Sequence, residues 1–438
     1  MHSISRLAAS CVLVSAIGGQ TATGQSQADG TTAPFKQVAA IKSLDHARPR
    51  NGGEYTYSTG ARLIQLNDRK DIAAIAMYGC KTVFLDLKTK ATIGEPTRQS
   101  GDAGAIGFIP NSDLAYIADW NNLQFWDQKT ALRSGEGFPH QLREDSVIGP
   151  AVSHDGKFLV TRNEMNSLQF WNLENGKSIG PEQVHDSMVS KLQFSVDDKW
   201  YFSCAGPLSI WNPKTGERVA GPIRNNIYTT AYLPAHQYLV TFEHDRKDPS
   251  SKSKVMIRSG TSDWSTVRQF ELPGQARDAQ WIDQDRLLVV GTEVGEKYKT
   301  VAFVVHLDQE TPRFDVLYNR DYRIFDFAIT RDRQHLVTIS IGKISCWRLG
   351  DSKPKWENTW TGRHGRKRVF GSDSDWVMAH ATGEDAIAYS IEDGTELWRK
   401  KEVIFANTDG DYLLVADQEG AEVWRWSGDS PERVRRQP

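Results

Sequence analysis

The chain is poor in the residues and patterns that build most enzyme and membrane-protein sites. Only four cysteines occur in 438 residues: Cys11, Cys80, Cys204 and Cys346. They are too few and too dispersed for a disulfide framework, and no two lie at zinc-ligand spacing. Cys80, Cys204 and Cys346 fall in strand-like runs and read as small apolar core residues. Neither sign of charge is in excess, with 53 Lys and Arg against 55 Asp and Glu. A chain built to coat nucleic acid needs a strong basic surplus, so nucleic acid is not the expected partner. Beyond the N-terminus no run is apolar enough to cross a bilayer, so no membrane span is expected in the mature chain. No Gly-x-x-x-x-Gly-Lys-Ser/Thr loop, His-Glu-x-x-His helix or Gly-x-Ser-x-Gly elbow occurs, which removes the common phosphate cradle, zinc helix and nucleophile turn. Ser251-x-x-Lys254 lies in a charged loop and reads as chance. Asn407-x-Asp409-Gly410-Asp411 resembles half a calcium loop but falls where other segments carry a hairpin turn. Hence no catalytic residue, metal or cofactor is expected.

The first 24 residues stand apart. Arg6 precedes an apolar stretch from Leu7 to Gly19, and Ala22-Thr23-Gly24 supplies small residues for cleavage. This pattern predicts a secretory signal peptide over 1–24, a mature chain beginning near Gln25, and an exported, periplasmic or secreted protein. An uncleaved N-terminal anchor is the competing expectation. Residues 25–34 read as a flexible linker and 428–438 as a disordered basic tail, leaving 35–427 for the folded part.

What is present is a recurring phrase: Phe84-Leu85-Asp86-Leu87, Phe125-Trp126-Asp127, Phe170-Trp171-Asn172-Leu173, Ile210-Trp211-Asn212 and Cys346-Trp347-Arg348-Leu349. Anchors follow at Leu85, Trp126, Trp171, Trp211, Ile257, Val305, Trp347, Tyr389 and Trp424. A period of about 40–45 residues with aromatic anchors marks propeller blades. Between Pro181 and Trp211 the unit is clearest. Val189 to Phe194 alternates apolar and polar, Ser195 to Lys199 is a turn, Trp200 to Cys204 is an apolar run, and Leu208 to Trp211 follows Gly206-Pro207. Asn212 to Gly216 turns the chain again before a short fourth strand from Glu217 to Ala220. The fold expected is all-β: a single β-propeller of about eight to nine four-stranded blades. The segment after Trp426 makes a poor fourth strand, whereas Phe35 to Ile41 alternates like one, so the N-terminal strand is expected to close the last blade.

These units resemble WD repeats. His185, Phe194-Ser195, Asp197 and Trp211 match much of that pattern. Val152-Ser153-His154-Asp155-Gly156-Lys157 with Trp171 is a second match, and Trp126-Asp127 is a literal Trp-Asp pair. The Gly before His185 is absent, and the Asp expected in the turn before the Trp strand is mostly missing. The buried His–Asp–Ser/Thr–Trp network of that family is therefore not expected in most blades. The resemblance implies a non-catalytic protein-interaction scaffold. It makes His185 a structural histidine rather than a catalytic or metal-binding one, and Trp126, Trp171, Trp211, Trp347 and Trp424 blade anchors. Trp120, Trp264 and Trp376 fall outside the anchor positions, and Trp264 is expected to contribute little to stability.

The segment Ala388 to Trp398 is also similar to the repeat of quinoprotein-type propellers, with Lys355-Trp356 a poorer copy. That similarity keeps the alternative of a propeller enzyme with a site at the channel mouth. In a four-stranded blade, the connection between strands two and three and the connection to the next blade emerge at the same end. Three charged segments share that end: His244 to Lys254, Thr292 to Lys299 and Arg363 to Arg368. They make Arg246, Lys247, Lys252, Lys254, Lys297, Lys299, Arg363, His364, Arg366, Lys367 and Arg368 candidates for docking an acidic protein partner.

Overall fold

The computed structural model describes residues 35–42, 60–119, 122–139, 150–163, 166–187, 189, 191–223, 227–233, 236–243, 248, 250–261, 263–294, 299–308, 311–320, 324–360, 367–371 and 375–427. Among them are nine four-stranded antiparallel sheets and no α-helix. The chain is a β-propeller of nine blades, the upper count expected. All nine anchors lie on third strands. Contacts divide the chain into two compact units, 1–138 with 402–438, and 139–401.

The first unit holds the first, second and ninth blades. The ninth consists of Phe405–Asp409, Tyr412–Ala416, Gly420–Trp426 and, as its fourth strand, Phe35–Lys42. The N-terminal strand runs antiparallel to Gly420–Trp426, from Phe35 opposite Trp426 to Lys42 opposite Gly420. The Phe35 and Trp426 rings meet edge-on at 5.1 Å. Ala39, Leu414 and Val423 share a core with Ala61, Ile64 and Ile75 of the first blade. The expected closure is therefore present, and it covers a strand edge that would otherwise invite pairing with another chain. Asp409-Gly410-Asp411 is a hairpin turn here, and Asp409 is ion-paired to Lys70 of the first blade.

The second unit holds the third to eighth blades. In the fourth, the strands are Lys191–Phe194, Tyr201–Cys204, Leu208–Trp211 and Arg218–Ile223. Turn chemistry explains its first hairpin. Ser195 Oγ donates to the Asp197 carboxylate at 2.7 Å and accepts the Trp200 N–H at 3.0 Å, an arrangement in which the side chain stands in for backbone. Ser153 with Asp155, and Thr330 with Asp332, repeat it in the third and seventh blades. Asp198 sits at φ 53°, a left-handed position that Asp tolerates. From there its carboxylate accepts the N–H groups of His154 and Asp155 at 2.9 and 2.7 Å, joining the third and fourth blades.

Two expectations, on Trp264 and Cys80, need correction. Trp264 is not peripheral: it is 2% exposed and sits at φ 59° in the turn after Lys254–Ser259 of the fifth blade. From there its ring reaches back to Trp200 at 5.2 Å and Phe202 at 6.0 Å. Trp376 opens the second strand of the eighth blade and is fully buried; Trp120 lies outside the described residues. Cys80 is half-buried in a turn at φ 62° rather than in a strand, because it occupies the hairpin between Ile72–Met77 and Lys81–Asp86. Cys204 and Cys346 are buried as expected, and burial pushes the Cys346 thiol up to about 12.

Candidate functional site

The blade that looks most like a WD repeat carries a buried polar triad. Ser203 Oγ, on the second strand of the fourth blade, accepts the Trp211 indole N–H at 2.8 Å and lies 2.9 Å from His185 Nε2. His185 is held by its own N–H, which donates to the Asn166 carbonyl at 2.7 Å. No aspartate completes the set: Nδ1 makes no hydrogen bond of good geometry, and the turn before the Trp strand reads Ala205-Gly206-Pro207. In the third blade the Trp171 indole N–H donates to Thr161 Oγ1 at 2.8 Å. His185, Ser203 and Trp211 are buried between strands, where they hold the blade together.

Burial lowers the His185 pKa, because the charged imidazolium would lose its water. A histidine depressed in the fold contributes stability that is full above its unfolded value of about 6.5 and declines as pH falls through the folded one. Urea midpoints of the wild type should therefore drop below about pH 6, and those of His185→Gln should drop less. Equal acid sensitivity of the two proteins would remove His185 from this account.

At the loop end of the fifth to eighth blades, the fold leaves some of the candidate cations exposed and gives others partners. The turn from Asp248 to Ser253 is well bonded. The Asp248 carboxylate accepts the Ser250 N–H at 2.8 Å, and Gln275 Nε2 donates to the Asp248 and Ser251 carbonyls at 3.0 and 2.9 Å. Gln275 belongs to the first strand of the sixth blade, Gly274–Trp281. One blade thus pins the long turn of its neighbour, leaving Lys252 and Lys254 exposed and without an ion pair among the described residues. The other described candidates have partners. Lys299 pairs with Glu293 at 2.6 Å. Lys367 Nζ stands 4.6 Å over the ring of Phe325. Arg368 approaches Asp326, whose carboxylate also accepts the Val369 N–H at 3.0 Å and which burial pushes above the usual carboxylate range. Arg246, Lys247, Lys297, Arg363, His364 and Arg366 lie outside the described residues.

One arrangement went unread in the sequence as a contact. Trp356, on the fourth strand of the seventh blade, lies against Gly394 in the turn that follows the third strand of the eighth. Its indole N–H donates to the Ile391 carbonyl at 2.9 Å, and Asn358 Nδ2 donates to the Gly394 carbonyl at 2.6 Å. The signal was available: Asp393-Gly394-Thr395 lies in the quinoprotein-like segment, and Lys355-Trp356 is its poorer copy. Here they join neighbouring blades. Among the described residues no group of three His, Cys, Asp or Glu is placed to hold a metal ion, and no helix is long and apolar enough to cross a membrane.

Nine four-stranded blades with Ser/Thr–Asp hairpins define a β-propeller, and the His–Ser–Trp triad of the fourth blade resembles that of WD repeats. No protein-family model matches the chain. It is similar to eukaryotic translation initiation factor 3 subunit I of Brugia malayi, 23% identical over 214 residues, which is 46% of this chain and 62% of that relative. The chain thus matches less than two thirds of that relative's length. Among solved structures, the computationally designed Ika8 protein superposes with a TM-score of 0.51 at 12% identity, over 89% of this chain and 99% of that one; this likeness concerns the fold alone.

Proposed function

We propose that the chain is an exported, non-catalytic propeller that serves as a protein-interaction scaffold and meets an acidic partner at the loop end of its fifth and sixth blades. The observation that carries this reading is the fixed display of Lys252 and Lys254 on a turn clamped by Gln275. Recognition residues concentrate on loops held by a rigid frame, and an ordered loop loses less entropy on binding. The Brugia relative is itself named as a subunit of a larger factor, a role that suits a scaffold. Export rests on the pattern of residues 7–24, which lie outside the described residues.

The test is affinity capture from the exported fraction. Reversing Lys252 and Lys254 to Glu should reduce captured partner about five- to tenfold, since exposed charge pairs contribute about 0.2–1 kcal/mol each and reversal adds repulsion. The effect should fade as salt rises, because exposed charges are screened over about 8 Å at physiological ionic strength. Reversal of Lys199 and Lys214, in the two turns at the opposite end of the fourth blade, is the control. An equal loss in the control would show that this loop end is not where the partner docks.

A further inference from the structure

Pairing, rather than abundance, decides which cations remain available to a partner, and among the described residues a group of cations without side-chain partners lies on the seventh blade at the end away from the loops just described. That blade consists of Asp326–Ile329, His335–Ser340, Lys343–Arg348 and Trp356–Thr359. Its connection between third and fourth strands runs for seven residues, 349–355, against five in the first, second and eighth blades, 87–91, 128–132 and 391–395. The fourth strand that follows has only four residues. The long turn and the short strand leave an open basin of about 760 Å³ between this turn and the first hairpin.

The basin is cationic in a way that the chain as a whole is not. Arg348 and Lys353 line it, are exposed, and their side chains have no hydrogen bond or ion pair among the described residues. Arg333, on the adjoining hairpin at φ 56°, is also exposed and unpaired among them. Lys355 lines the basin too, with its ammonium on Glu392, a side chain 79% exposed, so that this pair is weak and can exchange. The opposing charges are Asp351, in the turn itself, and Asp332, which is occupied by the Thr330 hydroxyl and the Gln334 N–H. The N–H groups of Ser352 and Lys353 bond to no described residue, and turn amides of this kind complement anions. Unpaired arginine is well suited to carboxylate because its fork can engage both oxygens.

We propose that this basin is a second docking site, which binds a carboxylate-rich segment of a protein partner, with Arg348 and Lys353 as its principal contacts. It rests on the reading of the chain as an interaction scaffold but uses different residues at the opposite blade end, so the two can fail separately.

Fluorescence anisotropy with labelled hexaglutamate as the probe tests it, on the full chain. Wild type should bind the peptide at low salt and lose affinity between 50 and 300 mM salt. Arg348→Glu with Lys353→Glu should raise Kd about tenfold or more, and Lys353→Gln alone about threefold. Unchanged urea midpoints will show that the variants fold. Lys252→Glu with Lys254→Glu should leave hexaglutamate binding unaltered. The proposal is overturned if the double variant binds like wild type, if wild type does not bind, or if inorganic pyrophosphate binds at the basin and hexaglutamate does not. Loss of partner capture with hexaglutamate binding intact would instead point to the loop end.

Discussion

Replacing Trp211 by Ala should destabilise the protein by about 3–5 kcal/mol, and replacing Trp264 should cost as much. Trp211 is 1% exposed and packs against Phe170 and Tyr201 of the same core. Its removal leaves a cavity and withdraws the N–H that Ser203 accepts, so two penalties add. Trp264 owes its value to position: from a turn of the fifth blade it fills the space beside Phe202, Leu208, Ile210 and Tyr232. Urea denaturation followed by circular dichroism measures both. A midpoint shift for Trp264→Ala less than half that for Trp211→Ala would mean that the site repacks around its loss. Trp171, half-buried, should give the smallest shift of the three.

The second large effect concerns Gly394. It sits at φ +77°, and a Cβ there would lie 2.7 Å from the Trp356 ring. Gly394→Ala combines left-handed strain of about 1 kcal/mol with overpacking of about 1–3 kcal/mol, for a total near 2–4 kcal/mol. Gly383 is the matched comparison, at φ +79° with nothing within 4 Å of a Cβ, so Gly383→Ala should cost only the strain, about 1 kcal/mol. The difference between the two urea midpoints isolates the ring contact. Equal shifts would show that Trp356 swings away freely and that the junction of seventh and eighth blades does not depend on it.

How much of this was legible in the sequence follows from the range of each interaction. The period, the hairpins and the third-strand anchors are local, set by turn chemistry and two-residue alternation, and all nine anchors fall on the expected strands. Closure by Phe35–Lys42 was readable because the segment after Trp426 reads as a poor fourth strand while Phe35 to Ile41 alternates like one. Trp264 was misread because its partners, Trp200 and Tyr232, are supplied by other segments that periodicity does not connect. The loop lysines had the same limitation: composition counts Lys299, Lys367 and Arg368 as basic, while the fold supplies Glu293, Phe325 and Asp326 as their partners. Lys353 and Arg348 escaped notice because one cation at a strand end and one in a Gly-Asp-Ser-Lys-Pro turn look ordinary until their lack of side-chain partners is visible. The His–Ser–Trp triad shows the converse case, since a departure at one position of the repeat removed the aspartate but not the other three residues.

The central claim is that the blades are frame and the blade ends of the second unit are the recognition surface. Amine-reactive cross-linking of the native complex, read by mass spectrometry, tests it most directly because lysines mark each surface. Intermolecular cross-links should concentrate on Lys252 and Lys254 at one end and Lys353 at the other. Cross-links confined to fourth-strand lysines such as Lys177 and Lys401, with none at those three, would contradict the account.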